Sequence, residues 1–168
     1  RAFKLPEAQV VVCGQPRNDL MVRAAAAAVP DIALWMPTYR QSIRGEIRRD
    51  SSLPPEAMKE LLMAVEARLD PAVTLILKLH PMDALNSMLD DRLGRIRILR
   101  SGDPQDSVEV LMARSRCLVT DYSSAAIDYL SLGRPLGFYC PDRAEYTRGF
   151  VDGVEQPYFA SGIMLTDA

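Results

Sequence analysis

Thr120-Asp121-Tyr122-Ser123-Ser124 puts a carboxylate and four hydroxyls into five consecutive residues. Two adjacent serines ahead of a helix-forming run can serve in either of two ways. They can cap the helix by accepting from its first amides. They can also join those amides and the positive end of the helix dipole in holding an anion, most often a phosphate. Asp121 could orient this turn. Asp128, seven residues further on, could accept from a sugar or glycerol hydroxyl; each carboxylate could equally be a dipole partner near the helix start. His80 is the sole histidine and stands between an apolar run and Pro81. It is either a satisfied structural side chain or a group that titrates near neutrality, donating to a phosphoryl oxygen or exchanging a proton. Arg17 stands where a turn meets a helix, a surface cation unless a phosphate lies close. The sequence has no GxGxxG, no P-loop and no Asp-x-Asp pair. Phosphate charge would therefore fall to helix N-termini, hydroxyls, His and Arg.

These residues need elements to hold them. Gln9 to Cys13 reads as a β-branched strand stopped at Gly14, with a turn to Asp19 and a helix over Leu20 to Ala28. Asp31 to Met36 reads as a second strand, stopped by Pro37, which cannot donate to a ladder. Thr38 and Arg40 follow that end. Gln41 to Leu53 is a polar loop whose Arg44, Arg48 and Arg49 either solvate it or attract an anion. A helix opens at Pro54-Pro55-Glu56, with Met58, Leu61, Leu62, Val65 and Leu69 as its core stripe. Val73 to Leu79 is a strand ended by His80, in which Lys78 alternates with its apolar neighbours and points to the opposite face. There follow a short helix over Asp83 to Asp91, a strand over Arg95 to Leu99 and a helix over Asp106 to Ala113. Cys117 to Val119 is a short buried strand. Ala125 to Leu132 is a helix with Gly133 as its stop, Leu136 to Tyr139 a last strand, and Asp142 to Phe150 an irregular or weakly helical tail.

Strands alternating with helices predict an α/β fold, a Rossmann-like parallel sheet covered on both faces. Ligands of such sheets sit outside the carboxyl ends of the strands, where the strand order reverses. If Trp35 lies on the first strand of a doubly wound sheet, Val119 lies on the fourth and the two are neighbours. His80 then ends the strand on the other side of Trp35. Residues about 40 apart in sequence so converge on one edge.

The 168 residues suffice for one domain with a sizeable core. A net charge of −2 argues against a nucleic-acid footprint. No apolar run approaches the ~18 residues needed to span a bilayer. Three cysteines without a CxxC pair read as free thiols in a reducing compartment, and no metal site is expected. The chain opens at Arg1, and we expect a piece of a longer protein.

Gly14-Gln-Pro-Arg-Asn-Asp19, Met36-Pro-Thr-Tyr-Arg40, Leu77-Lys-Leu-His-Pro81 and Leu118-Val-Thr-Asp-Tyr-Ser-Ser124 occur in that order. With Asp128, Arg134-Pro135 and Tyr146 to Phe150, they resemble the motifs of the CDP-glycerol glycerophosphotransferases, the teichoic-acid primases and polymerases with related capsule polymerases. The resemblance spans nearly the whole chain. It implies one half of a GT-B glycosyltransferase architecture, the C-terminal half that binds the nucleotide donor. It also implies transfer of glycerol phosphate from CDP-glycerol to an acceptor hydroxyl. Donor contacts would fall on Arg17, Pro37, Thr38, Lys78, Leu79, His80, Ser123, Ser124 and Asp128, with His80 as the catalytic group, and no cofactor is implied. Residues 1–20 would be a hinge or remnant of a preceding domain and 21–168 the donor-binding domain. The family's His-Gly motif, its candidate base, has no match here, and the segment between Asp19 and Asp31 is shorter than is usual. The base, and the site for a lipid-linked or polymer acceptor, would then belong to an N-terminal half. The expected location is cytoplasmic, at the inner face of the membrane through parts outside this chain. Two other functions fit the residues: a GT-B transferase or epimerase-like enzyme using another nucleotide-activated sugar, and a non-enzymatic nucleotide-binding module.

Overall fold

The computed structural model describes residues 5–25, 31–38, 55–81, 83, 86, 89–100, 107–144, 146 and 153–166. Its strands are β1 (Ile32–Met36), β2 (Thr74–Lys78), β3 (Arg92–Leu93), β4 (Ile96–Leu99), β5 (Cys117–Thr120), β6 (Leu136–Tyr139) and β7 (Ile163–Leu165). Its helices are α1 (Pro16–Ala24), α2 (Pro55–Arg68), α3 (Val108–Arg114), α4 (Ala125–Tyr129) and α5 (Glu155–Ala160). The sheet runs β3-β4-β2-β1-β5-β6-β7. Every pairing is parallel except β3 with β4. Counting only the parallel strands in chain order, the sheet reads 3-2-1-4-5-6. That is the doubly wound order, and it reverses between β1 and β5.

Side chains alternate along each strand, and the two faces carry separate cores. On one face Leu34, Ile76, Leu118, Leu136 and Phe138 pack under Met21 of α1, Leu111 and Met112 of α3, Tyr129 of α4 and Phe159 of α5. On the other, Trp35, Leu75, Leu77, Ile96 and Ile98 pack under Met58 and Leu62 of α2. Strands buried on both faces must be apolar almost throughout, which is why β1, β2 and β5 read as continuous runs.

Several expectations are corrected. Gln9 to Cys13 is not a strand: a 3-10 turn at Glu7–Gln9 leads into irregular chain, and Val12 is 96% exposed. A β-branched run forms a strand only where another strand pairs with it, and no described strand lies beside this one. The first helix starts at Pro16 rather than Leu20, with proline in its first turn. This helix packs on α3. Of Asp83 to Asp91, the described residues include Asn86 in a 3-10 turn, its amide donating to the Asp83 carbonyl (3.1 Å). Asn86 Nδ2 donates to the carbonyls of His80 (2.9 Å) and Asp83 (2.9 Å), and Arg100 Nε to that of Asn86 (3.0 Å). Thr120 belongs to β5, because its hydroxyl donates to the Met36 carbonyl across the pair (2.7 Å). Sequence reasoning also missed β3, α5 and β7. Tyr39, Arg40, the loop arginines and Arg148 to Phe150 lie outside the described residues.

Candidate functional site at the crevice between β1 and β5

Asp121, just past the end of β5, ties that end to the residues that follow β1. The Thr38 amide donates to both Asp121 carboxylate oxygens (3.0 and 2.9 Å), and the Thr38 hydroxyl donates to Oδ1 (2.6 Å). The Tyr122 amide donates to the same Oδ1 (2.6 Å). Asp121 is 1% exposed. A buried carboxylate is tolerable only with such a set of donors, and this set fixes where Thr38 and the Ser123-Ser124 turn stand. Asp121 therefore acts as a strut between the walls of the crevice, a role its sequence position only hinted at.

The turn is held from behind as well. The Tyr158 hydroxyl of α5 lies 2.8 Å from the Asp121 carbonyl and 2.8 Å from that of Ser123. Burial pushes this phenol well above its ordinary value, and the Asp121 carboxylate adds to the effect, so it remains a donor. Tyr122 donates to Asp142 (3.1 Å) and stacks on Tyr146 at 3.5 Å. Ser123 does cap: its Oγ accepts from the Ala125 amide (3.3 Å) and its carbonyl from that of Ala126 (3.1 Å). The Ile127 amide donates to the Ser124 carbonyl (3.0 Å). The first three amides of α4 thus have acceptors already, contrary to the expectation of free donors there. Ser124, in contrast, is exposed and its side chain makes no capping bond.

Asp128 lies one turn beyond Ser124 on α4. It accepts from the Arg17 guanidinium at 2.7 Å, and the two side chains are 48% (Arg17) and 11% (Asp128) exposed. Two residues 111 apart in sequence are thus brought together. Asn18 reinforces the contact through Ser131 (3.3 Å). Beside the pair lies an open groove of about 630 Å³, with Gly14, Gln15 and Asn18 among its lining residues.

Pro37 is half-buried at the end of β1, and His80 is exposed beyond the end of β2, the strand on the other side of β1. Leu79 is buried, with its amide donating to the Leu99 carbonyl (3.1 Å). Lys78 is buried, and its Nζ donates to the carbonyl of Arg100 beyond β4 (2.9 Å). The structure thus gathers Thr38, Ser123, Ser124, Asp128 and Arg17 around the ends of β1 and β5. It puts His80 one strand away and holds the Lys78 ammonium toward β4. Among the described residues, no three His, Cys, Asp or Glu side chains are grouped to share a metal ion.

The model of the CDP-glycerol:poly(glycerophosphate) glycerophosphotransferase family matches residues 1–164. The chain belongs to this family. Its relatives include the teichoic acid ribitol-phosphate primase of Bacillus spizizenii, 29% identical over 161 residues. That match covers 88% of this chain and 39% of the primase. Among solved structures, the wall teichoic acid polymerase TagF superposes with a TM-score of 0.67 at 22% identity, covering 99% of this chain and 42% of that one. A TagF variant soaked with CDPG gives 0.61 at 22%, covering 89% and 38%. At that identity the likeness is one of fold, the Rossmann-like half of a GT-B architecture. This glycerophosphotransferase-family chain spans about two-fifths of the length of these relatives.

Within the family chain, the Arg134-Pro135 motif has a visible structural task. Arg134 donates to the carbonyls of Ala113 (2.8 Å) and Ser115 (2.6 Å) at the end of α3, and to that of Ala25 (3.1 Å) at the end of α1. A guanidinium satisfies the orphan carbonyls of two helices at once. No helix among the described residues is long and apolar enough to cross a membrane.

Proposed function

We propose that the protein carrying this chain transfers glycerol phosphate from CDP-glycerol to an acceptor hydroxyl in the building of a teichoic-acid-like or capsule polymer. This chain is the donor-binding half. The observation that carries the reading is the Asp121 strut: in a chain of this family, it fixes Thr38 and the Ser123-Ser124 turn on either side of the switch point. The donor's diphosphate lies against the exposed Ser124, Thr38 and the half-exposed Arg17, which Asp128 aims. Hydroxyls and a guanidinium suit phosphate oxygens, and Arg can bind them through two parallel N–H bonds.

The acceptor oxygen attacks the phosphorus that bears glycerol. A P–O bond forms there as the bond to the bridging oxygen breaks, and CMP leaves. The acceptor's proton passes to a base outside this chain, in a part that also holds the acceptor. His80 donates to the phosphates and stabilises the charge that grows on the leaving group. By this reading the 168 residues alone bind cytidine nucleotides weakly and do not turn over.

Titration calorimetry of the folded chain with CDP, CMP and UDP tests the reading. Heat with the cytidine nucleotides and less with UDP is expected. A preference for UDP would point to a nucleotide-sugar enzyme, and silence with all three to a module whose serines serve only as a cap.

A further inference from the structure

Tyr158 stands on α5, outside every motif that points to the site. A phenol carries one proton, and here that proton faces the carbonyls of Asp121 and Ser123 at equal distances of 2.8 Å. Carbonyls two residues apart in a turn converge on one donor only if the backbone curls around it. In a trans peptide the N–H points opposite to the C=O. Holding the Ser123 carbonyl toward α5 therefore turns the Ser124 amide away from α5. Among the described residues that amide meets no acceptor, and the Ser124 side chain beside it is exposed. The helix that carries Tyr158 is itself anchored. Tyr158 and Phe159 pack on Phe138, with ring centroids at 4.9 and 5.2 Å, and Arg143 lies over Phe159 at 4.3 Å.

We infer that Tyr158 is a positioning residue for the donor: its hydroxyl sets the curl of the Asp121–Ser124 turn and so presents Ser124 to the phosphates. This rests on the proposed placing of the donor at that turn. Tyr158 touches no donor atom and acts through the backbone alone.

Tyr158→Phe keeps the ring in the core and deletes the shared proton; Tyr158→Leu also removes the ring and marks what lost packing does. Both are made in the full-length natural polypeptide that carries these residues. Amide hydrogen exchange without ligand is read alongside KM and kcat for CDP-glycerol. For the Phe variant, faster exchange at 122–126 is expected with no change at Leu118 and Val119. The donor KM should rise about three- to tenfold, the cost of one lost hydrogen bond, with kcat within twofold. Unchanged exchange at 122–126 overturns the inference, and so does faster exchange with an unchanged KM. A lower melting temperature as the sole effect in both variants makes Tyr158 merely structural. Wild-type protein that neither binds nor uses CDP-glycerol defeats the functional reading, and the donor role with it. That failure is distinct, because the exchange effect would persist.

Discussion

Asp121 holds the crevice together by accepting hydrogen bonds from both of its walls. Among the described residues, four donor contacts converge on its two oxygens, three of them on Oδ1. Asp121→Ala removes the acceptor that the half-buried Thr38 and Tyr122 amides share. It should cost about 2–4 kcal/mol in a urea titration, whereas Asp121→Asn, whose amide oxygen can replace Oδ1, should cost about 1–2 kcal/mol. Equal losses would mean that the second oxygen and the charge hold nothing. Arg17 differs in kind. Its ion pair with Asp128 is half-exposed, and such pairs contribute about 0–1 kcal/mol. Arg17→Ala should leave the melting temperature almost unchanged while weakening CDP binding by calorimetry; a matching loss in both would make the pair structural. Residue types and order were enough to single out Arg17, Asp128, Thr38 and the serine turn. The Arg17–Asp128 contact was not legible, because it joins residues far apart in the chain through helices whose rotation no local pattern sets. The Lys78 contact was hidden for a related reason. Alternation gives the face on which a side chain leaves its strand, but not that a long stem can bend to a carbonyl at the next strand's end.

At the scale of elements, the inner strands were readable even at four residues, as β5 and β6 show, whereas the short elements at the edges were not. The topological argument placed β1 between β2 and β5 correctly, since burial on both faces marks central strands. The six-residue α5 was hidden by Pro157, which reads as a breaker but stands in the first turn, where no amide is needed. β7 has three residues, all exposed, and β3 has two. Gly162 shows what admits β7 to the sheet. A Cβ there would lie 2.6 Å from the Leu136 carbonyl oxygen and 2.9 Å from the Phe138 ring. Gly162→Ala must push α5 and β7 away from β6, at about 1–3 kcal/mol. Gly133, the expected helix stop, does sit at φ +60° but in open space. Gly133→Ala should therefore cost only the left-handed backbone strain, about 1 kcal/mol. Chemical denaturation of the two variants checks that order, and a reversed order would refute the close approach. Arg134→Lys keeps the charge but loses the fork that reaches four carbonyls. It should destabilise nearly as much as Arg134→Ala in the same assay.

For the molecule as a whole, the buried phenols set how it responds to alkali. Burial raises both Tyr129 and Tyr158 above the ordinary value of 10.0. Above that pH the unfolded chain releases these protons while the folded chain keeps them. Stability therefore falls as pH rises past about 10, and these two groups leave it unaffected below. Urea midpoints between pH 8 and pH 11.5 should show the fall, and Tyr158→Phe should flatten part of it. An unaltered slope in that variant would mean that the phenol ionises freely in the folded state.

The strand order also has a consequence in time. The central strand β1 waits for β5, whose residues stand 84 positions later, and the turn it meets is completed only by Tyr158. A ribosome releasing this chain from its N-terminus has therefore built β1, β2 and β4 well before either wall of the crevice can close. Throughout that interval the growing polypeptide carries the unpaired edge of its most apolar strand, a point at which a chaperone or a wrong partner can compete. Long-range closures of this kind are slow, so the pairing of β1 with β5, and with it the crevice between their ends, comes late in the folding of this sheet.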